Sequence, residues 1–223
     1  MRTTILLACL LLVSMGLSAQ EIKENILENK TYMERMAYFE ANPLGKGQVV
    51  FLGNSLTQGG KWDEYFPARK PVNRGISGDN TLGILNRLHE IIAAKPNKLF
   101  LLTGTNDISL NRSNEMIMTG LKSIIYQLRA GSPETKIYVQ SLLPIYNGAN
   151  VYKRMLGKEK QIEKLNKELE KFCKKEHIRF INIYPALLAG KRQLDPKYTT
   201  DGLHLNSDGY AVWVNQIRKY VEE

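Results

Sequence analysis

The sequence VVFLGNSLT, residues 49–57, decides the fold because an apolar run leads directly into a turn. Residues 49–52 are apolar without alternation, which is typical of a strand buried on both faces of a sheet. Gly53 and Asn54 then end the strand pattern, and Ser55 follows. The stretch therefore predicts a buried strand with Ser55 just beyond its carboxyl end.

The strand pattern recurs along the chain and alternates with helical patterns. Further strands are predicted at Lys98–Leu102, Lys136–Val139 and Ile178–Ile183, with a weaker one centred on Val72. Helical spacing of apolar residues predicts helices at Thr81–Ala94, Asn114–Ala130 and Glu159–Lys175, and a last helix with Tyr210, Val214, Ile217 and Val221 on one face. This alternation predicts a three-layer α/β/α sandwich around a mostly parallel sheet, with its functional groups at the carboxyl ends of the strands.

The N-terminus has the pattern of an export signal. Arg2 precedes an apolar run that ends in small residues, so residues 1–19 are predicted to be a signal peptide cleaved after Ala19. The run is too short to cross a bilayer, which argues against stable membrane insertion. We expect a periplasmic or secreted protein with one domain at residues 20–223, in which residues 20–44 form a helical extension.

Composition excludes several classes of function. The 223-residue chain carries a formal charge of +9, but lysines and glutamates alternate between residues 158 and 176, as on a solvated helix face. We therefore predict no nucleic-acid partner. Cys173 adjoins an apolar helical stripe and is predicted to be a core residue, and no cluster of His or Cys suggests a metal site.

A serine nucleophile needs a base, and the chain has three histidines. His89 lies within a helical pattern and His177 begins a strand, whereas His204 follows Asp201 in a turn-rich stretch. The three-residue step allows Asp201 to hold one ring nitrogen and leaves the other for Ser55. Two purely structural roles fit the same residues, since Ser55 could cap a helix and Asp201 could only shape a turn.

Acyl transfer also needs hydrogen-bond donors for the negative oxygen that forms on the attacked carbonyl. Two stretches at predicted strand ends offer them: Gly78 lies in NRGISGDN, residues 73–80, and Asn106 lies in LLTGTND, residues 101–107. A glycine N–H and an amide side chain are suitable donors. Both stretches also have the composition of ordinary turns.

Taken together, the four blocks resemble the SGNH hydrolases, also called the GDSL esterase and lipase family. The resemblance extends from about Val49 to the C-terminus and implies a flavodoxin-like sheet. It implies that Ser55 is the nucleophile, His204 the general base and acid, and Asp201 the residue that orients His204. The N–H groups of Ser55 and Gly78 and the Asn106 side chain would form the oxyanion hole. The family's name-giving Asp is Asn54 here.

The predicted function is hydrolysis of short-chain acyl esters, acetyl esters above all, without cofactor or metal. O-acetylated carbohydrates are the first choice of substrate, and the loop from Pro144 to Gly157 is expected to line the site, although its tyrosines could equally pack the loop down. One alternative is a lysophospholipase or thioesterase that acts on longer acyl chains. Another is a non-catalytic glycan-binding member of the fold. The oligomeric state is not predicted.

Overall fold

A parallel sheet forms the centre of the protein. The computed structural model describes residues 26, 28–148, 151–190 and 192–223. The strands of the main sheet are β1 (Val49–Gly53), β2 (Val72–Gly75), β3 (Lys98–Leu102), β4 (Lys136–Gln140) and β5 (Arg179–Ile181). Their order, β2-β1-β3-β4-β5, with parallel pairing throughout, is flavodoxin-like. The predicted three-layer fold is confirmed.

Helices cover both faces of this sheet. They are α1 (Lys30–Ala41), α2 (Ser55–Gln58), α3 (Trp62–Tyr65), α4 (Thr81–Asn86), α5 (Leu88–Ala94), α6 (Thr105–Ser109), α7 (Asn114–Gly131), α8 (Glu159–Lys175) and α9 (Ser207–Glu222). Short 3₁₀ segments lie at Lys153–Met155, Tyr184–Leu187 and Pro196–Tyr198, and a small antiparallel pair consists of β6 (Leu188–Ala189) and β7 (Gln193–Leu194).

Alternate residues of the strands build two separate cores. Leu52 and Leu101 belong to the core that contains α7 and α8, whereas Phe51 and Phe100 belong to the core that contains α9. The Phe51 and Phe100 rings stack with centroids 4.8 Å apart, and Trp213 of α9 is fully buried on the same side. Because successive strand residues point to opposite faces, an uninterrupted apolar strand serves both cores.

The segment predicted as one helix, Thr81–Ala94, is two helices. Arg87, with φ −107° and ψ 11°, separates α4 from α5. The apolar spacing continues through the break, which is why the sequence predicts one helix. The side chain of Arg87 is fully buried and binds groups from outside the helix, and these tertiary contacts compensate for the interruption.

The predicted N-terminal extension is described in part. Asn29 caps α1, and Phe39 of that helix packs its ring 4.4 Å from the Arg74 guanidinium carbon. The Tyr32 hydroxyl donates to the Gly83 carbonyl at 2.9 Å, which ties α1 to α4. The predicted signal peptide, residues 1–19, and the start of the extension lie outside the described residues.

Two further expectations concern the core and the membrane. Cys173 is fully buried, and burial raises the pKa of its thiol to about 12, so it is a core residue as predicted. Among the residues that the structure describes, no helix combines the length and the apolar character needed to span a bilayer.

Candidate active site

Ser55 lies at the carboxyl end of β1, near the middle of the sheet. It is the first residue of α2, and Asn54 caps this helix by accepting a hydrogen bond from the Leu56 N–H at 3.0 Å. A cap needs an oxygen acceptor, and Asn and Asp supply one equally well. The Asn54 departure from the GDSL pattern therefore preserves the local backbone that presents Ser55.

A chain of hydrogen bonds links Ser55 to His204 and Asp201. Ser55 Oγ lies 2.9 Å from His204 Nε2, and His204 Nδ1 lies 2.7 Å from Asp201 Oδ2. The side chains of His204 and Asp201 are 39% and 38% exposed, so a ligand can reach them. The structure thus brings Ser55 into contact with His204 and Asp201, although almost the whole domain lies between Ser55 and these two residues in the sequence.

Asp201 is held as an acceptor by its own turn. Besides the His204 ring, the N–H groups of His204 and Leu203 donate to Asp201 Oδ1, at 2.7 and 3.0 Å. Burial acts to raise the pKa of Asp201, but these hydrogen bonds outweigh burial and place the pKa below its ordinary value. Asp201 is therefore ionised at neutral pH, and its carboxylate accepts the Nδ1 proton of His204.

Neighbouring segments fix the turn that carries Asp201 and His204. Thr199 Oγ1 donates to the His204 carbonyl at 2.7 Å and accepts from the Gly202 N–H at 2.9 Å. From the loop after β4, the N–H groups of Tyr146 and Tyr152 donate to the carbonyls of Gly202 and Asp201, at 2.8 and 2.9 Å. Gly202 has a φ of +81°, a backbone conformation that favours glycine. This glycine is the one feature of the sequence that indicates the conformation of the turn.

Two of the three predicted oxyanion donors, Gly78 and Asn106, lie in segments that contact each other. Gly78 has a φ of +82° in a turn closed by the Asp79 N–H donating to the Ile76 carbonyl at 3.1 Å, as in a type II turn. Asn106 Nδ2 donates to the Asp79 carbonyl at 2.7 Å, which leaves the second amide proton for a ligand. Within the described residues, the N–H groups of Ser55 and Gly78 have no hydrogen-bond acceptor.

A buried ion pair fixes the turn that carries Gly78 relative to β1. Arg87 and Asp79 are both fully buried, with Nη2 and Oδ2 2.9 Å apart. The same Nη2 donates to the carbonyls of Gly53 and Arg74, at 3.2 and 2.9 Å. One guanidinium therefore joins the ends of β1 and β2 to the Gly78 turn, and no pattern in the sequence indicates this role.

The other histidines lie elsewhere. His89 belongs to α5, and His177 lies in the turn that precedes β5, at the edge of the sheet. In the part of the chain that the structure describes, no three His, Cys, Asp or Glu side chains are grouped as they would be around a metal ion.

The segment that contains these site residues matches a known protein family. The model of the GDSL-like lipase/acylhydrolase family matches residues 51–212, which include all of the predicted site residues. The chain belongs to this family. It is an ester-hydrolysing serine hydrolase, and the SGNH/GDSL resemblance of its motifs is confirmed.

Individual relatives agree with this assignment. Platelet-activating factor acetylhydrolase IB subunit alpha2 of Rattus norvegicus is 28% identical over 171 residues, 73% of this chain and 71% of the relative. A GDSL-like lipase from Bacteroides thetaiotaomicron superposes with a TM-score of 0.74 at 26% identity, over 86% of this chain and 97% of that one. An acetyl xylan esterase shares the fold at 16% identity, with a TM-score of 0.66 over 78% of this chain and 99% of the other.

Proposed function

We propose that the protein hydrolyses acetyl esters through an acyl-enzyme on Ser55, with O-acetylated carbohydrates as the substrate class. The observation that carries this proposal is the hydrogen-bonded chain of 2.9 and 2.7 Å from Ser55 through His204 to Asp201. The name of the acetylhydrolase relative supports the acetyl group. Carbohydrate as the alcohol rests on the SGNH resemblance and on the predicted export.

In the proposed mechanism, Ser55 Oγ attacks the ester carbonyl while His204 Nε2 takes its proton. Asp201 holds the Nδ1 proton, so the ring presents its lone pair to Ser55 and is stabilised once it becomes charged. The resulting imidazolium then protonates the departing alcohol. Water repeats the same proton transfers on the acyl-enzyme and releases the acid and free Ser55.

The negative oxygen of each tetrahedral intermediate is proposed to accept from three donors: the N–H groups of Ser55 and Gly78 and the free amide proton of Asn106. Two of these donors are backbone groups and the third is held through the Asp79 carbonyl. Such donors need no reorganisation during the reaction, which is the main source of their effect on rate.

Replacement of Asn106 by alanine is expected to lower kcat by about 10²- to 10³-fold, with a smaller change in KM, because the lost donor acts on the transition state. Steady-state kinetics on 4-nitrophenyl acetate measures both constants. Asn42→Ala is a suitable control, because Asn42 Nδ2 donates to the Tyr38 carbonyl at 2.9 Å, at the C-terminal end of α1. An Asn106→Ala variant with wild-type kcat and an unchanged unfolding midpoint would remove Asn106 from the oxyanion hole.

A chain-length series of 4-nitrophenyl esters, followed by acetate release from acetylated oligosaccharides, tests the proposed substrate. We expect kcat/KM to be highest for the acetyl ester and to fall for longer chains. Faster turnover of the decanoyl ester would instead identify a lysophospholipase or thioesterase. Release of acetate from the aryl ester but from no acetylated sugar would support the acetyl group as the acyl part of the substrate and contradict carbohydrate as the alcohol part.

A further inference from the structure

A cleft of about 550 Å³ opens beside the proposed oxyanion hole. Gly78 and Asn106 line it, and so do Tyr152 and Arg154 of the loop after β4. An acetyl group would leave most of this volume empty, whereas clefts of this size commonly hold a ligand as large as a sugar. If the substrate is an acetyl ester, as proposed above, the cleft is suited to its alcohol part.

The position of the cleft relative to the base agrees with this assignment. The Tyr152 N–H donates to the Asp201 carbonyl at 2.9 Å, so the wall that carries Tyr152 and Arg154 is attached to the turn that holds His204. The departing alcohol must receive its proton from His204. Because Gly78 and Asn106 line this cleft, an alcohol held in it would lie between the proposed oxyanion hole and Arg154.

The charges on the cleft walls are balanced except at one position. Asp79 is paired with Arg87, and Arg112 is paired with Asp107 at 2.6 Å. Arg154 is exposed, and no carboxylate of the described residues lies within 4.0 Å of its guanidinium. The remaining charge on the described walls is positive, so the cleft favours an anionic ligand.

Polar uncharged groups also line the cleft, and groups of these types can bind sugars. They include amides, hydroxyls and an aromatic ring, contributed by Asn29, Ser77, Ser109 and Tyr152. Amides and hydroxyls can both donate to and accept from sugar hydroxyl groups. The planar fork of an arginine matches the two oxygens of a carboxylate.

We infer that this cleft binds the sugar of an O-acetylated uronic acid and that Arg154 contacts the sugar's carboxylate. The inference rests on the proposed acetylesterase function and adds the charge of the substrate to it. Arg154 is in this view a specificity-determining residue, since it contacts the part of the substrate that does not react.

The test compares acetate release from acetylated glucuronic acid with release from its methyl ester, which differs mainly in lacking the negative charge. We expect the wild-type kcat/KM to be about fivefold higher for the free acid at low ionic strength, as for a partly exposed ion pair. The preference should decrease in about 0.5 M salt, which screens exposed charges. Arg154→Gln should abolish the preference.

Lys153→Gln is the matched control. Lys153 is the exposed neighbour of Arg154 in the same 3₁₀ segment, does not line the cleft, and its substitution removes the same charge. This variant should keep the preference for the free acid. A comparable loss in Lys153→Gln would show a general effect of positive charge and overturn the assignment to Arg154.

The remaining outcomes separate this inference from the proposed function. Equal kcat/KM values for the two sugars, or a preference that survives in Arg154→Gln, would overturn the anionic subsite and leave the acetylesterase proposal intact. Turnover of 4-nitrophenyl acetate without acetate release from either sugar would overturn both the subsite and the carbohydrate substrate.

Discussion

Ser55→Ala is expected to lower kcat for 4-nitrophenyl acetate by about 10⁴- to 10⁶-fold, because the variant has no oxygen to form the acyl-enzyme. The Ser55 Oγ makes its hydrogen bond to His204 Nε2, and the cap of α2 is Asn54 rather than Ser55. The substitution therefore removes the nucleophile without removing a contact on which the fold depends. The unfolding midpoint should stay within a degree or two of the wild type.

Covalent labelling gives this prediction a second readout. A fluorophosphonate probe should modify the wild-type protein once per chain, at Ser55, and should not modify Ser55→Ala. Ser123→Ala is the control, since Ser123 is a serine of α7 whose hydroxyl accepts from Gln127 Nε2 at 3.2 Å. Labelled Ser55→Ala protein, or activity within tenfold of the wild type, would mean that another group is the nucleophile.

The sequence predicts the sheet well because its strands depend on local pattern. The strand predicted at Lys98–Leu102 has the same bounds as β3, and β1 and β4 each extend one residue beyond their predicted ends. An apolar run bounded by turn residues is sufficient to locate a strand that is buried on both faces. The predicted Ile178–Ile183 strand is longer than β5, Arg179–Ile181, which lies at the edge of the sheet and has one strand neighbour.

Features that depend on distant contacts could not be predicted in this way. The break at Arg87 is an example, because the buried guanidinium binds Gly53 at the end of β1 and both Arg74 and Asp79 in residues 73–80. Nothing in the local spacing distinguishes this arginine from one on a solvated helix face. A buried charge is stable only where its partners are assembled around it.

The candidate active site likewise combines residues that the local sequence pattern indicates with supporting contacts that it does not. Ser55 and His204 could be selected because a strand end and a turn are visible in sequence. The groups that support them are mostly backbone, such as the N–H groups of Tyr146 and Tyr152, and every residue except proline carries one. The sequence can therefore name the side chains of the site but not the backbone contacts that hold them.

Asp201→Asn is expected to lower kcat by about 10³- to 10⁴-fold with little change in KM. The Asn oxygen can still accept from the N–H groups of Leu203 and His204, so the turn should keep its shape. The amide nitrogen would instead face His204 Nδ1 as a donor. That contact would favour the ring tautomer with its proton on Nε2, which cannot accept the Ser55 proton.

Asp208→Asn is the matched control, because Asp208 is an exposed carboxylate in the first turn of α9 and its substitution removes the same charge. Steady-state kinetics and unfolding curves for both variants separate orientation of His204 from net charge and from stability. Near-wild-type kcat in Asp201→Asn would show that the 2.7 Å contact does not control the tautomer of His204. A similar loss in Asp208→Asn would mean that removal of a negative charge lowers kcat whether or not the carboxylate contacts His204. If only Asp201→Asn lowers kcat, with KM and the unfolding midpoint unchanged, then proton transfer from Ser55 to His204 depends on an acceptor at His204 Nδ1.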